Sequence, residues 1–176
     1  RRGSPARYSR ARMSRCSPVR PNTATASAVS TALVFDTRWS AWSDDHVFEW
    51  AVQCAASLVA AVSGRGSTVR LATDATSPLA PDMDTALLSL ATVARRDGAT
   101  PAELVRRVRG EHVQVLHVLT GLGAAPDLES LPRLAPGVVG LLSVVGRPTA
   151  PLRVARGWRL TVLDPARAVE EAWARG

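Results

Sequence analysis

From residue 31 onward the chain alternates two hydrophobic patterns. Five short segments are rich in apolar residues: Thr31 to Arg38, built around Leu33-Val34-Phe35, then Thr68 to Thr73, Val113 to Leu119, Val138 to Val145 and Arg159 to Leu163. Runs that do not alternate apolar with polar suit strands covered on both faces, as in a parallel sheet. Between the first two segments the period changes. Phe48, Ala51, Val52, Ala55, Leu58, Val59 and Val62 recur at spacings of three and four, with Glu49, Gln53 and Ser57 on the other side, so Val47 to Val62 is expected to be a helix with one core face. Asp44 and Asp45 suit its amino end through the helix dipole, and Gly64 stops it. Strand, helix and strand in this order make one βαβ unit.

Two more helices are expected within residues 77–110. Met83, Leu87, Leu88, Leu90 and Val93 keep helical spacing until Asp97-Gly98. Thr100-Pro101-Ala102-Glu103 then starts the second, Pro101 to Arg109: the threonine hydroxyl can cap, proline suits the first helical position, and Glu103 completes a capping box. Arg106, Arg107 and Arg109 suit the negative end of that helix, as a solvated terminus rather than a phosphate site. Asp164-Pro165 turns the last strand into a closing helix, Ala166 to Arg175, and Arg147 to Gly157, with Pro148 and Pro151, is loop or edge. The expected fold is α/β: a three-layer, mostly parallel sheet of about five strands with right-handed crossovers, over residues 31–176.

Composition changes the picture only at the amino end. Arg1, Arg2, Arg7, Arg10, Arg12, Arg15 and Arg20 stand in the first thirty residues with no acid, so the other 15 of the 22 basic residues balance the 15 acids and the +7 resides in residues 1–30. That tail of Arg, Ser, Pro and Ala has no apolar period and is expected to be disordered. With Tyr8 its only aromatic, it is not expected to be a nucleic-acid arm. The chain opens on Arg1 rather than Met, as a fragment would. The longest apolar run, Val138 to Val145, is far shorter than the roughly 20 residues of a spanning helix, and no apolar leader segment is visible. Cys16 and Cys54 make no metal spacing, and Cys54 is expected as a reduced, buried thiol in a cytosolic domain.

Candidate chemistry narrows quickly. There is no G-x-S-x-G, and His46, His112 and His117 have no zinc spacing, His117 lying inside a strand. Gly64 and Gly66 come after a helix and before a strand, the wrong order for a phosphate cradle. Thr120, Gly121 and Gly123 do follow a strand, and a short helix beginning at Asp127 would complete a small-ligand or nucleotide loop; Pro126 replaces a third glycine, and the chain has no lysine for a Walker motif. Asp36 remains, delivered to the carboxyl end of the first strand, where open α/β sheets bind their ligands. Trp39 and Trp42 lie in the polar turn beside it, either exposed as a contact surface or folded back on the sheet edge.

Leu33-Val34-Phe35-Asp36-Thr37-Arg38, then Phe48-Glu49-Trp50-Ala51-Val52, then Val69-Arg70-Leu71-Ala72-Thr73 together resemble the carboxyl-terminal half of the bacterial "domain of unknown function 58" proteins in their actinobacterial form. That half is similar to a von Willebrand factor A domain, which holds a divalent cation with D-x-S-x-S after its first strand, plus a threonine and an aspartate from later loops. Here Asp36 and Ser40 match the first and last positions, Arg38 takes the middle serine position, and Gly121 stands where the later acid is expected. The resemblance therefore implies a degenerate metal site, with no metal and no cofactor. It also implies a non-catalytic protein-interaction module whose partner face includes Asp36, Arg38, Trp39, Ser40 and Trp42. The full-length protein would be membrane-anchored through segments outside this chain, with this domain in the cytoplasm. An AAA+ ATPase of the MoxR type is the implied partner, in the assembly or maturation of other proteins.

Overall fold

The computed structural model describes residues 29–73, 80–108 and 112–173. The expected basic tail and the ends of the second middle helix and the closing helix fall outside the described residues, wholly or in part. The five expected strands form one sheet: β1 (Ser30–Phe35), β2 (Thr68–Ala72), β3 (Val115–Gly121), β4 (Val139–Val145) and β5 (Trp158–Leu163), in the order β2-β1-β3-β4-β5, all neighbours parallel. Among the described residues four α-helices accompany them: α1 (Asp45–Gly64), α2 (Met83–Ala91), α3 (Pro101–Val108) and α4 (Val169–Trp173).

The doubly apolar strands are explained by a core on each face of the sheet. Leu33, Phe35, Leu71, Leu119 and Leu163 join α1, α2 and α4 on one side; Ala32, Val34, Leu116, Val118, Leu142 and Trp158 join α3 and Leu128 on the other. That is the three-layer arrangement. Helix starts follow their caps: Asp44 accepts from the Val47 N–H and Asp82 from the Thr85 N–H, while Glu103 accepts from both the N–H and the hydroxyl of Thr100. Through its valines and alanines α1, 20 residues long, reaches a mean hydropathy of 1.4 over an 18-residue window, enough by length and composition to cross a bilayer. Its Phe48, Trp50, Ala51, Cys54, Ala55 and Val59 are buried against the sheet, the place of a core helix. Cys54 is free, and burial pushes its thiol up to about 12.

Element ends shift by one to three residues, and β3 runs on to Gly121, so Thr120 and Gly121 close the strand, paired with Val144 and Val145, rather than following it as a loop. Two further details differ from expectation. The segment after β3 is a 3-10 helix, Leu122–Ser130, with Pro126 inside it, so the short helix starts at the strand end rather than at Asp127. The closing helix begins at Val169, because Asp164 first holds a turn by accepting from the Ala166 N–H.

Candidate functional site

From β1 the chain turns outward to β2, and from β3 it turns the other way to β4, so the carboxyl ends of β1 and β3 flank the topological switch point of the sheet. Phe35 pairs with Leu119, which sets Asp36 beside Thr120. The Asp36 N–H donates to the Leu119 carbonyl at 3.0 Å, and the residue is fully buried.

Every acceptor position of its carboxylate is used. Oδ1 accepts from the backbone N–H of Arg38 at 3.1 Å and from Arg38 Nε at 3.0 Å; Oδ2 accepts from Arg38 Nη2 at 2.8 Å and from the Thr120 hydroxyl at 2.7 Å. A carboxylate offers about four such positions. The remaining arm of the guanidinium, Nη1, donates to Asp127 Oδ2 at 2.7 Å. Burial works against the Arg38 charge, but the hydrogen bonds and charges of Asp36 and Asp127 outweigh it and hold its pKa above the ordinary value.

Arg38 thus sits where a cation shared by two carboxylates would sit. A divalent ion does not fit this donor set, since the oxygens it would need are committed to a fixed internal charge. Among the described residues no group of three or more His, Cys, Asp or Glu is placed to hold a metal.

The two tryptophans separate. Trp42 turns inward: it is 5% exposed, stacks on Phe35 with 5.7 Å between ring centroids, meets Phe48 edge-on, and donates its indole N–H to the Asp36 carbonyl at 2.9 Å. Trp39 faces out, 51% exposed. It starts a 3-10 turn, Trp39–Ala41, and its N–H donates to the carbonyl of Arg96, whose own N–H donates to Thr37. This bridge brings Arg95 over the indole, guanidinium carbon 4.4 Å from the ring centroid, and Arg95 is in turn held by Asp45. Ser40 is exposed next to it.

Gly121 and Gly123 have a packing role. A Cβ on Gly121 would collide with the carbonyl of Ala41, and one on Gly123 with the carbonyl of Ser40. The loop therefore lies directly on the 39–41 turn, backbone against backbone. Beside it opens a cleft of about 500 Å³ bounded by Ser40, Ser43, Leu122, Gly146 and Arg147. Its one cation, Arg147, grips Asp164 through Nε and Nη2 at 3.1 and 2.9 Å.

Asp127 is expected from the sequence as a helix start and as the end of a ligand loop from Gly121; its pairing with Arg38 is the part that sequence reasoning misses, and the signal for it is an acid on the segment leaving β3. His117 is a core residue, hydrogen-bonded at 2.8 Å through Nε2 to Ser143 and edge-on to Trp173. Both members of that pair are buried in the sheet, away from the switch point. No protein-family model and no curated protein matches this chain.

Proposed function

We propose that the chain is a non-catalytic protein-interaction module whose switch point, a ligand site in many α/β folds, is closed by its own arginine and serves as a rigid base for a contact surface. The observation that carries this is Trp39: half-exposed, pinned by the Arg96 bridge and backed by Arg95, it presents one large aromatic face that the fold does not use. Tryptophan held in this way has little freedom left to lose on binding, which favours it as an anchor.

Within this reading the domain belongs with the carboxyl-terminal, von Willebrand A-like half of the "domain of unknown function 58" proteins. The all-parallel sheet supports that placement, as does the acid after β1 facing a threonine from β3. The partner proposed on that basis is an AAA+ ATPase of the MoxR type, met by a cytoplasmic domain of a membrane-anchored protein. Surface-immobilised ATPase of this type from the source organism should bind the wild-type chain and bind Trp39→Ala at least about tenfold more weakly, the scale of an aromatic anchor. Equal affinities for the two proteins would refute the role of Trp39.

A further inference from the structure

The two edges of the sheet are treated differently. On β2 the outer side is covered: Leu71 and Ala80 exchange both backbone hydrogen bonds, N–H of Ala80 to Leu71 at 3.0 Å and N–H of Leu71 to Ala80 at 3.3 Å. On β5 no further strand pairs among the described residues. The Leu163 carbonyl points inward and accepts from Gly146, so by the alternation of a strand the backbone groups of Leu160 and Val162 point outward. The side chains of these two residues share one face and are 37% and 42% exposed. Neither proline nor lysine interrupts the strand, and its one charge, Arg159, lies near its start, so the Leu160 to Leu163 part of the edge carries no charge.

We propose that this edge is an interface between two copies of the chain: β5 pairs antiparallel with β5 of a second copy about a two-fold axis through Thr161, continuing the sheet across both molecules. The strand is self-complementary in that register. Leu160 stands opposite Val162 of the partner subunit, and Val162 opposite its Leu160, with outward-pointing backbone groups on both sides, so the two flanking pairs are the hydrogen-bonded ones. Thr161 meets Thr161 of the partner subunit as the closer, non-hydrogen-bonded pair, about 4.5 Å between Cα atoms. Arg159, the only charge on the strand, stands opposite Leu163 of the partner subunit. The two copies of Arg159 lie roughly 13 Å apart along the strand direction, beyond the range where exposed like charges repel strongly.

A six-residue strand pair is smaller than a standard interface, so the dimer is weak, with a dissociation constant on the order of 10–100 µM. This interface is independent of Trp39, and Trp39→Ala is expected to dimerise as wild type does.

The register makes the test specific. In the full chain with Cys16→Ser, mild oxidation of Thr161→Cys should give a disulfide-linked dimer on a non-reducing gel, because the paired Cα spacing falls in the disulfide range. Arg159→Cys, whose copies lie far apart, should stay monomeric under the same oxidation. In sedimentation velocity the wild-type mass average should rise with concentration across that micromolar range, and Leu160→Glu should shift the midpoint at least about tenfold upward. Equal cross-linking by the Thr161→Cys and Arg159→Cys proteins would overturn the register. A wild-type chain monomeric at several hundred micromolar, on the order of ten times the proposed constant, would overturn the interface, including the case in which the edge instead receives a different protein.

Discussion

Arg38→Met is the substitution that bears most directly on the closed switch point. It keeps the aliphatic stem and removes the guanidinium, so the Asp36 carboxylate, fully buried, retains only the Thr120 hydroxyl and the backbone N–H of residue 38. Two of its four donors disappear together with the only charge that touches it. Removing one partner of a buried pair costs about 3–5 kcal/mol, because the surviving charge stays desolvated. For a chain of this size each kcal/mol moves the melting temperature by about 2–4 °C, so the expected fall is roughly 6–20 °C. Urea unfolding followed by circular dichroism supplies the free energy directly. Asp36→Asn placed on Arg38→Met replaces the stranded charge by a neutral amide and should recover about 1–3 kcal/mol, the coupling expected of residues in contact. A cost for Arg38→Met under about 1 kcal/mol, the value of an exposed ion pair, would refute the idea that Arg38 is the internal counterion.

Other consequences follow from the same coordinates. Burial pushes His117 down from 6.5 to about 4, so the folded chain stays neutral there while the unfolded chain takes up a proton; stability is complete above about pH 6.5 and falls as pH is lowered toward 4, by up to about 3 kcal/mol. His117→Gln should flatten that segment of the stability-versus-pH curve, and an unchanged slope would show that His117 does not set it. Gly123→Ala drives a methyl group into the Ser40 carbonyl and should lower stability by about 1–3 kcal/mol in thermal unfolding, where an unaffected melting temperature would show that the loop is not packed on the turn. Calorimetric titration with magnesium or manganese should give no saturable heat; a site tighter than about 1 mM that vanishes in Asp36→Ala would show that the ion displaces Arg38.

The central strands were legible because burial on both faces leaves apolar runs, and Leu33-Val34-Phe35 and Val144-Val145 sit in opposite cores in alternation. Helix starts were legible because caps are local chemistry: Asp44 and the Thr100–Glu103 pair announce themselves within four residues. The site was only half legible. Asp36 could be placed by its position after a strand, yet its environment depends on Thr120, 84 residues away, and on Asp127, which reaches Arg38 across 89 residues. No local pattern encodes such a meeting. Trp39 and Trp42 show the same limit. Both are large aromatics in one short turn, and the one that goes inward, Trp42, packs on Phe35 and Phe48 and donates its indole N–H to the Asp36 carbonyl, partners that meet it only in the folded chain.

Arg38 decides what the switch point can do, because it fills the place between Asp36 and Asp127 with a fixed internal charge. A metal-filled site leaves open coordination positions, through which a partner's acidic side chain can be recognised and the affinity set by ion concentration. A guanidinium bound to Asp36 and Asp127 leaves no acceptor position free on Asp36, and its charge cannot be withdrawn by a chelator or by pH in the ordinary range. On the proposed interaction-module reading, recognition at this edge comes from groups outside the closed pair, and Trp39 is the exposed aromatic so placed, on a turn packed from below by Gly121 and Gly123 and bridged from the side by Arg96. Affinity built on such a surface should be insensitive to divalent cations and only weakly dependent on salt, because its main term is apolar area rather than charge.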